Sequence, residues 1–133
     1  MKLSKATDYA LHTMFHLIKK ESAKPIGVQQ LAEYQDVSPT YLSKILTKLV
    51  KAGMIESISG AQGGYKLKRN KNDISFLDII HAIEGTTPLF ECDFHHHEGC
   101  LIQSEIKNAE EKMNEHLRET KLIDLVKKEQ RLS

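Results

Sequence analysis

Two groups of residues in this 133-residue chain have the types and spacing to do chemistry or to hold a charged partner. The first is Cys92-Asp93-Phe94-His95-His96-His97-Glu98-Gly99-Cys100. Thiolate and imidazole are ligands that Zn²⁺ prefers in a tetrahedron, so Cys92 and Cys100 with two imidazoles, such as His95 and His97, make a formal zinc set. The spacing is cramped beside common zinc modules. The same two thiols could instead close a disulfide or pass through a sulfenic acid, with protonated imidazoles nearby favouring thiolate. A third reading is a segment with no ligand. The balance favours no bound cofactor, with oxidation of the thiols or no chemistry at all ahead of a metal.

The second group is basic. Lys44, Lys48 and Lys51 recur at steps of four and three, so on a helix they share one face. Thr40, Tyr41, Ser43 and Thr47 add hydroxyls toward the start of that segment. Residues 37–72 hold seven Lys or Arg against one acid, Glu56, whereas residues 73–133 hold seven against thirteen acids. A basic middle of this kind is the footprint of a surface that meets a polyanion, although ordinary solvated lysines read the same by charge alone. The elements that carry the lysines must decide.

Residues 4–20 show apolar positions at one face of a 3.6-residue period, with Ser4 placed to cap. A short helix is expected over 28–35, with Val28, Leu31 and Ala32 inward. Ser38-Pro39 then opens a third helix, because Ser caps free amides and Pro supplies a preset φ at the first position. That helix runs to about Ala52 with Leu42, Ile45, Leu46, Leu49 and Val50 inward, and Gly53 closes it. Two short helices joined by a tight turn make a helix-turn-helix. Residues 54–59 and 65–68 alternate as strands around Gly60-Ala61-Gln62-Gly63-Gly64, so a β-hairpin wing follows directly. Ser75 with Asp78 resembles a capping box for a helix ending at Gly85.

From Leu101 to about Lys128 a narrow seam recurs at Ile102, Ile106, Ala109, Met113, Leu117 and Thr120, and then Leu122, Ile123, Leu125 and Val126. A narrow apolar seam on an otherwise charged helix suits a partner helix better than burial in a small monomer. Ile102, Ile106, Ala109, Met113 and Leu117 are therefore the expected dimer interface. The fold class is mainly α with a small β-hairpin. Its expected parts are a winged helix-turn-helix domain over 1–85, a cysteine/histidine loop over 86–100, and a dimerisation helix and tail over 101–133.

Hydrophobic residues at 40% allow a packed core, and no apolar run is long enough to cross a bilayer. The N-terminus lacks the apolar segment of a signal peptide, and two cysteines do not make an exported disulfide scaffold, so a cytoplasmic chain is expected. Gly-rich phosphate loops, Gly-x-Ser-x-Gly turns and His-Glu-x-x-His pairs are absent from the sequence. An enzyme is not expected.

Taken together, Ala6-Thr7-Asp8-Tyr9-Ala10-Leu11, Ser38-Pro39-Thr40-Tyr41-Leu42, Leu49-Val50-Lys51-Ala52-Gly53-Met54-Ile55 and Gly60-Ala61-Gln62-Gly63-Gly64-Tyr65-Lys66-Leu67 carry a resemblance. With Ile74 to Gly85 after them, they are similar to the BadM/Rrf-type regulators, the family of the iron–sulfur-assembly and nitric-oxide-sensing repressors. The resemblance implies a homodimeric winged-helix transcriptional regulator, a repressor on the pattern of those members, reading a roughly palindromic operator in double-stranded DNA. The candidate DNA contacts are then Lys5, Ser38, Thr40, Tyr41, Ser43, Lys44, Thr47, Lys48, Ser59, Gln62 and Lys66. Ser59 stands where some members place an Arg that enters the minor groove, which implies weaker readout by the wing. Cluster-binding members carry three cysteines. Cys92 and Cys100 resemble the first two, but the position six beyond Cys100 is Ile106. Asp8 matches the residue that adds a cluster ligand in the nitric-oxide sensors. Two thiolates remain a poor basis for an iron–sulfur cluster, which usually takes four Cys or a Cys/His mixture.

Overall fold

Ser4 opens the first helix, its hydroxyl oxygen accepting the Thr7 amide, which would otherwise lack an intrahelical partner. The structure, a computed structural model, describes residues 3–21, 23–88 and 101–132. In chain order they form α1 (Lys5–Lys20), α2 (Val28–Gln35), α3 (Pro39–Lys51), β1 (Ile55–Ile58), β2 (Gly64–Leu67), a 3₁₀ turn (Lys71–Asp73), α4 (Phe76–Glu84), α5 (Leu101–Glu119) and α6 (Leu122–Leu132). The hairpin is antiparallel, with Ile55 opposite Leu67 and Glu56 opposite Lys66. Ser75 and Asp78 complete a reciprocal capping box at the start of α4, as the sequence suggested.

α1 is the central helix, touching α2, α3, α4, α6 and β2. Its buried Ala10, Met14, Leu17 and Ile18 join Leu31, Leu42, Leu46, Leu49, Ile55, Ile79 and Ile83 in one core. The wing is tied to this core by its own backbone. Ile26, between α1 and α2, exchanges two hydrogen bonds with Tyr65 of β2, at 2.9 and 2.8 Å. Gly64, at φ +152°, lets the two backbones meet, because a Cβ there would lie 2.5 Å from the Ile26 carbonyl.

The C-terminal region differs from the single helix expected over 101–128. The chain breaks at Thr120, whose hydroxyl bonds back to the His116 carbonyl. The Thr120 carbonyl accepts the Phe76 amide, and the Leu122 amide donates to Ile74. The chain thereby turns, and α6 packs on α1, burying Leu122, Ile123 and Val126. Three large apolar side chains contribute roughly 1.5–3 kcal/mol each when buried. That outweighs a few interrupted helical hydrogen bonds at about 1 kcal/mol net apiece. Beyond Thr120, Leu122, Ile123 and Val126 thus belong to the chain's own core, while Leu125 stays exposed. α5 has no buried residue, and Leu101 and Ile102 are 81% and 69% exposed.

Candidate nucleic-acid interface

Ser38 and Pro39 start α3 as expected, the Ser38 hydroxyl oxygen accepting the Tyr41 amide at 3.1 Å. Ser38 is therefore a helix cap first, with only its hydroxyl hydrogen left for a partner. The first turn of α3 contains no acid, and Thr40, Tyr41 and Lys44 beside it are exposed. Helix N-termini carry free amides and partial positive charge, so this turn is suited to face phosphate or base edges. Ser43 is half-buried. The Thr47 hydroxyl donates to the Ser43 carbonyl at 2.9 Å, which leaves it only as an acceptor.

The lysines are not equivalent. Lys44, Lys48 and Lys51 are all exposed, but Lys48 Nζ also lies 3.5 Å from the Ile83 carbonyl in the last turn of α4. That contact is long and releasable. The neighbouring Glu84 carboxylate accepts the Ser4 amide at 2.8 Å and the Thr7 hydroxyl at 2.6 Å. The end of α4 thus joins the start of α1, where Lys5 is exposed, to the lysine face of α3. The last turn of α4 is in contact both with Ser4 and Thr7, which flank Lys5 in the chain, and with Lys48 of α3. On the wing, Ser59 and Gln62 are exposed. Lys66 is paired across the hairpin with Glu56 at 3.8 Å, so the sole acid of the basic band reduces its charge. Half-exposed pairs of this kind hold weakly.

Behind this face the helix-turn-helix is clamped by polar contacts. Gln35 Nε2 donates to the Tyr9 carbonyl at 3.2 Å and to Thr13 Oγ1 at 2.7 Å. The Tyr9 ring meets the Tyr41 ring edge-on, with centroids 5.8 Å apart and an interplanar angle of 84°. His16, also buried, stacks on Tyr34 at 4.0 Å. Burial first, and then the charges of Lys20 and Lys19, push its imidazole below the usual pKa. Sequence reading counted Tyr9 only as an inward apolar residue and gave no role to Gln35, Glu84 or His16. Gln35 and Glu84 find their partners in distant elements, and the ring contacts of Tyr9 and His16 are likewise to other helices, so no local pattern announces them.

Cys92, His95, His97 and Cys100 lie outside the described residues. Asp8, exposed on α1, has its carboxylate 3.2 Å from Nδ1 of His12. It borders an open groove of about 450 Å³ with Leu11, Phe15, Phe76 and Leu125. Among the described residues no group of three His, Cys, Asp or Glu side chains could hold a metal ion. None of their helices is long and apolar enough to cross a membrane.

The chain, whose described residues form a helix-turn-helix with a hairpin tied beside it among six α-helices, is matched over residues 3–128 by the family Rrf2, described as iron-dependent transcriptional regulator. The chain belongs to the Rrf2 family of transcriptional regulators. It is 34% identical over 93 residues to protein rrf2 of Nitratidesulfovibrio vulgaris. That match covers 70% of this chain and 62% of the relative, so it spans under two thirds of the relative's length. Among solved structures, CymR, the global cysteine regulator of B. subtilis, superposes with a TM-score of 0.81 at 31% identity, covering 96% of this chain and 97% of that one. The oxidised form of Staphylococcus aureus CymR superposes with a TM-score of 0.75 at 32% identity, covering 95% and 96%. The mainly helical, winged-helix fold read from the sequence agrees with these neighbours.

Proposed function

We propose that this chain is a sequence-specific repressor that binds a two-half-site operator as a homodimer, with the first turn of α3 reading bases and its lysine face holding phosphates. The observation that carries this reading is the acid-free, exposed first turn of α3 beside Lys44, next to a wing tied to the same core. Lys5, Lys44 and Lys48 fit phosphate contacts, whereas Thr40, Tyr41 and Ser43 fit base contacts. Ser59, Gln62 and Lys66 fit minor contacts from the wing, and Ser38 and Thr47 act mainly within α3.

Lys44→Ala should weaken binding to every duplex alike and reduce the slope of log affinity against log salt by about one unit. Thr40→Ala should leave that slope unchanged and alter preference among sequences by about 1–3 kcal/mol at one base pair. The check is a salt titration of each variant on a pool of randomised duplexes and on the best-bound member. If both variants behave like the parent, α3 is not the reader.

For regulation, the reading favours the thiols over a metal. The end of α4 contacts both α1 and α3, and the segment holding Cys92 and Cys100 follows it in the chain. A relative crystallised in an oxidised form supports the same direction. Peroxide would take two electrons and two protons from the thiols, forming one S–S bond and two waters. A strain carried to the end of α4 would then change how the two copies present α3. Cys92→Ser and Cys100→Ser should each abolish any oxidant-dependent change in operator affinity while leaving reduced-state binding intact. Identical binding by parent and variants with and without peroxide would remove the thiol reading. Metal analysis of anaerobically purified protein, with its visible spectrum, would then test zinc or an iron–sulfur cluster.

A further inference from the structure

The aromatic pair formed by half-buried Tyr9 and exposed Tyr41 joins α1 to the first turn of α3. Tyr41 is the third residue of that helix, and its amide is fixed by the Ser38 hydroxyl at 3.1 Å. The residue is 38% exposed, and the cap holds its backbone but not its side chain. The ring's direction is set by Tyr9 of α1, which meets it edge-on at 5.8 Å and 84°. An edge-to-face arrangement is the favoured one for two rings and penalises other rotamers. The backbone of Tyr9 is fixed by two hydrogen bonds, and its ring is half-buried against the core. Its carbonyl accepts from Thr13 Oγ1 at 2.7 Å within α1 and from Gln35 Nε2 at 3.2 Å in α2. Three helices of the reading unit therefore converge on this one half-buried residue.

We propose that Tyr9 is a positioning residue for sequence readout: it fixes the direction of the Tyr41 ring over the first turn of α3, and so sets which base pairs that turn prefers. This rests on the reading of α3 as the reader. Without the Tyr9 edge, the Tyr41 ring gains rotamer freedom and sweeps across the space beside Thr40 and Lys44. Preference then relaxes, while the phosphate-holding lysines are untouched.

The test uses the full chain and a pool of randomised duplexes, comparing parent, Tyr9→Phe, Tyr9→Leu, Tyr41→Leu and the double Leu variant. Tyr9→Phe keeps the ring edge and should keep the parent preference. Tyr9→Leu should reduce discrimination between the best duplex and its single-base variants by about three- to tenfold, the range one ring pair can carry. Its salt slope should equal that of the parent. Tyr41→Leu, which also removes the ring as a base contact, should reduce discrimination at least as much, and the double variant no further than Tyr41→Leu, because Tyr9 acts only through that ring. Parent-like discrimination in Tyr9→Leu overturns the proposal, as does additivity in the double variant. A salt slope lowered by about one unit in Tyr9→Leu would also overturn it, by making Tyr9 a direct phosphate contact. If Tyr9→Leu does not fold by circular dichroism, Tyr41→Leu at its exposed position decides, and parent-like discrimination there overturns the proposal. If the parent binds no duplex, or Thr40→Ala leaves preference unchanged, the reading of α3 fails and this role falls with it. If those controls behave as expected and the Tyr9 variants match the parent, only the positioning role fails.

Discussion

Gly64→Ala should detach the wing and lower both thermal stability and DNA affinity, a large effect from so small a change. An added Cβ at Gly64 would lie 2.5 Å from the Ile26 carbonyl carbon and oxygen and 2.8 Å from the Gly27 nitrogen. All three are backbone atoms, so no side chain can swing away to make room. Relief requires Ile26 and Tyr65 to separate, which breaks both of their hydrogen bonds. Two such bonds are worth about 1 kcal/mol each, and a non-glycine residue at φ +152° adds strain. A loss of roughly 2–4 kcal/mol follows, on the order of 10 °C in Tm for a chain this size. Gly27→Ala is the control, because a Cβ there has no atom within 4 Å and its φ is negative. Replacing an N-cap Gly in this way should cost about 1 kcal/mol or less. Thermal melts and duplex titrations of both variants check the contrast. Equal melting temperatures for Gly64→Ala and the parent would mean the wing is not held through Ile26.

What the sequence could and could not disclose follows from where each constraint resides. The starts of α1, α3 and α4 were legible because Ser4, Ser38-Pro39 and Ser75-Asp78 act on amides three residues away or fewer. The hairpin was legible because turn glycines lie between two alternating runs. The break at Thr120 was not. The pattern from Ile102 to Val126 keeps a helical period throughout, and the reason for turning is the backbone of Ile74 and Phe76, far away in sequence. The same limit applied to the candidate interface. Charge periodicity found Lys44, Lys48 and Lys51 as one face, yet it could not reveal that Lys48 reaches Ile83 or that Lys66 faces Glu56. The Glu84 contacts with Thr7 and Ser4 are equally remote, at 77 and 80 residues' separation.

Ile106→Lys is the second large effect, and it follows from shortening the seam to α5. Once Leu122, Ile123 and Val126 are assigned to the core, the apolar seam left on α5 for a partner runs from Leu101 to Leu117, with Leu125 the exposed seam residue on α6. Met113 and Leu117 are already half-buried in the single chain, whereas Ile102 and Ile106 remain exposed. A substitution at Ile106 can therefore disturb pairing without opening the chain's own core, which Met113→Lys could not guarantee. In a two-fold symmetric pair each substitution counts twice, so two lysines would be forced toward the interface. At about 1–3 kcal/mol for each poorly solvated polar group, the dissociation constant should rise by about a hundredfold or more. Light scattering at micromolar concentration should then report mainly monomer, with a melting profile still cooperative because α1, α4 and α6 are untouched. Binding to a duplex with two half-sites should fall to that of a single half-site, since the second copy no longer arrives with the first. Asn108→Lys, also on α5 but away from the seam, should leave the mass and the binding unchanged. A dimeric mass for Ile106→Lys equal to that of the parent would move the interface off α5 and remove the link between its exposed residues and paired reading of an operator.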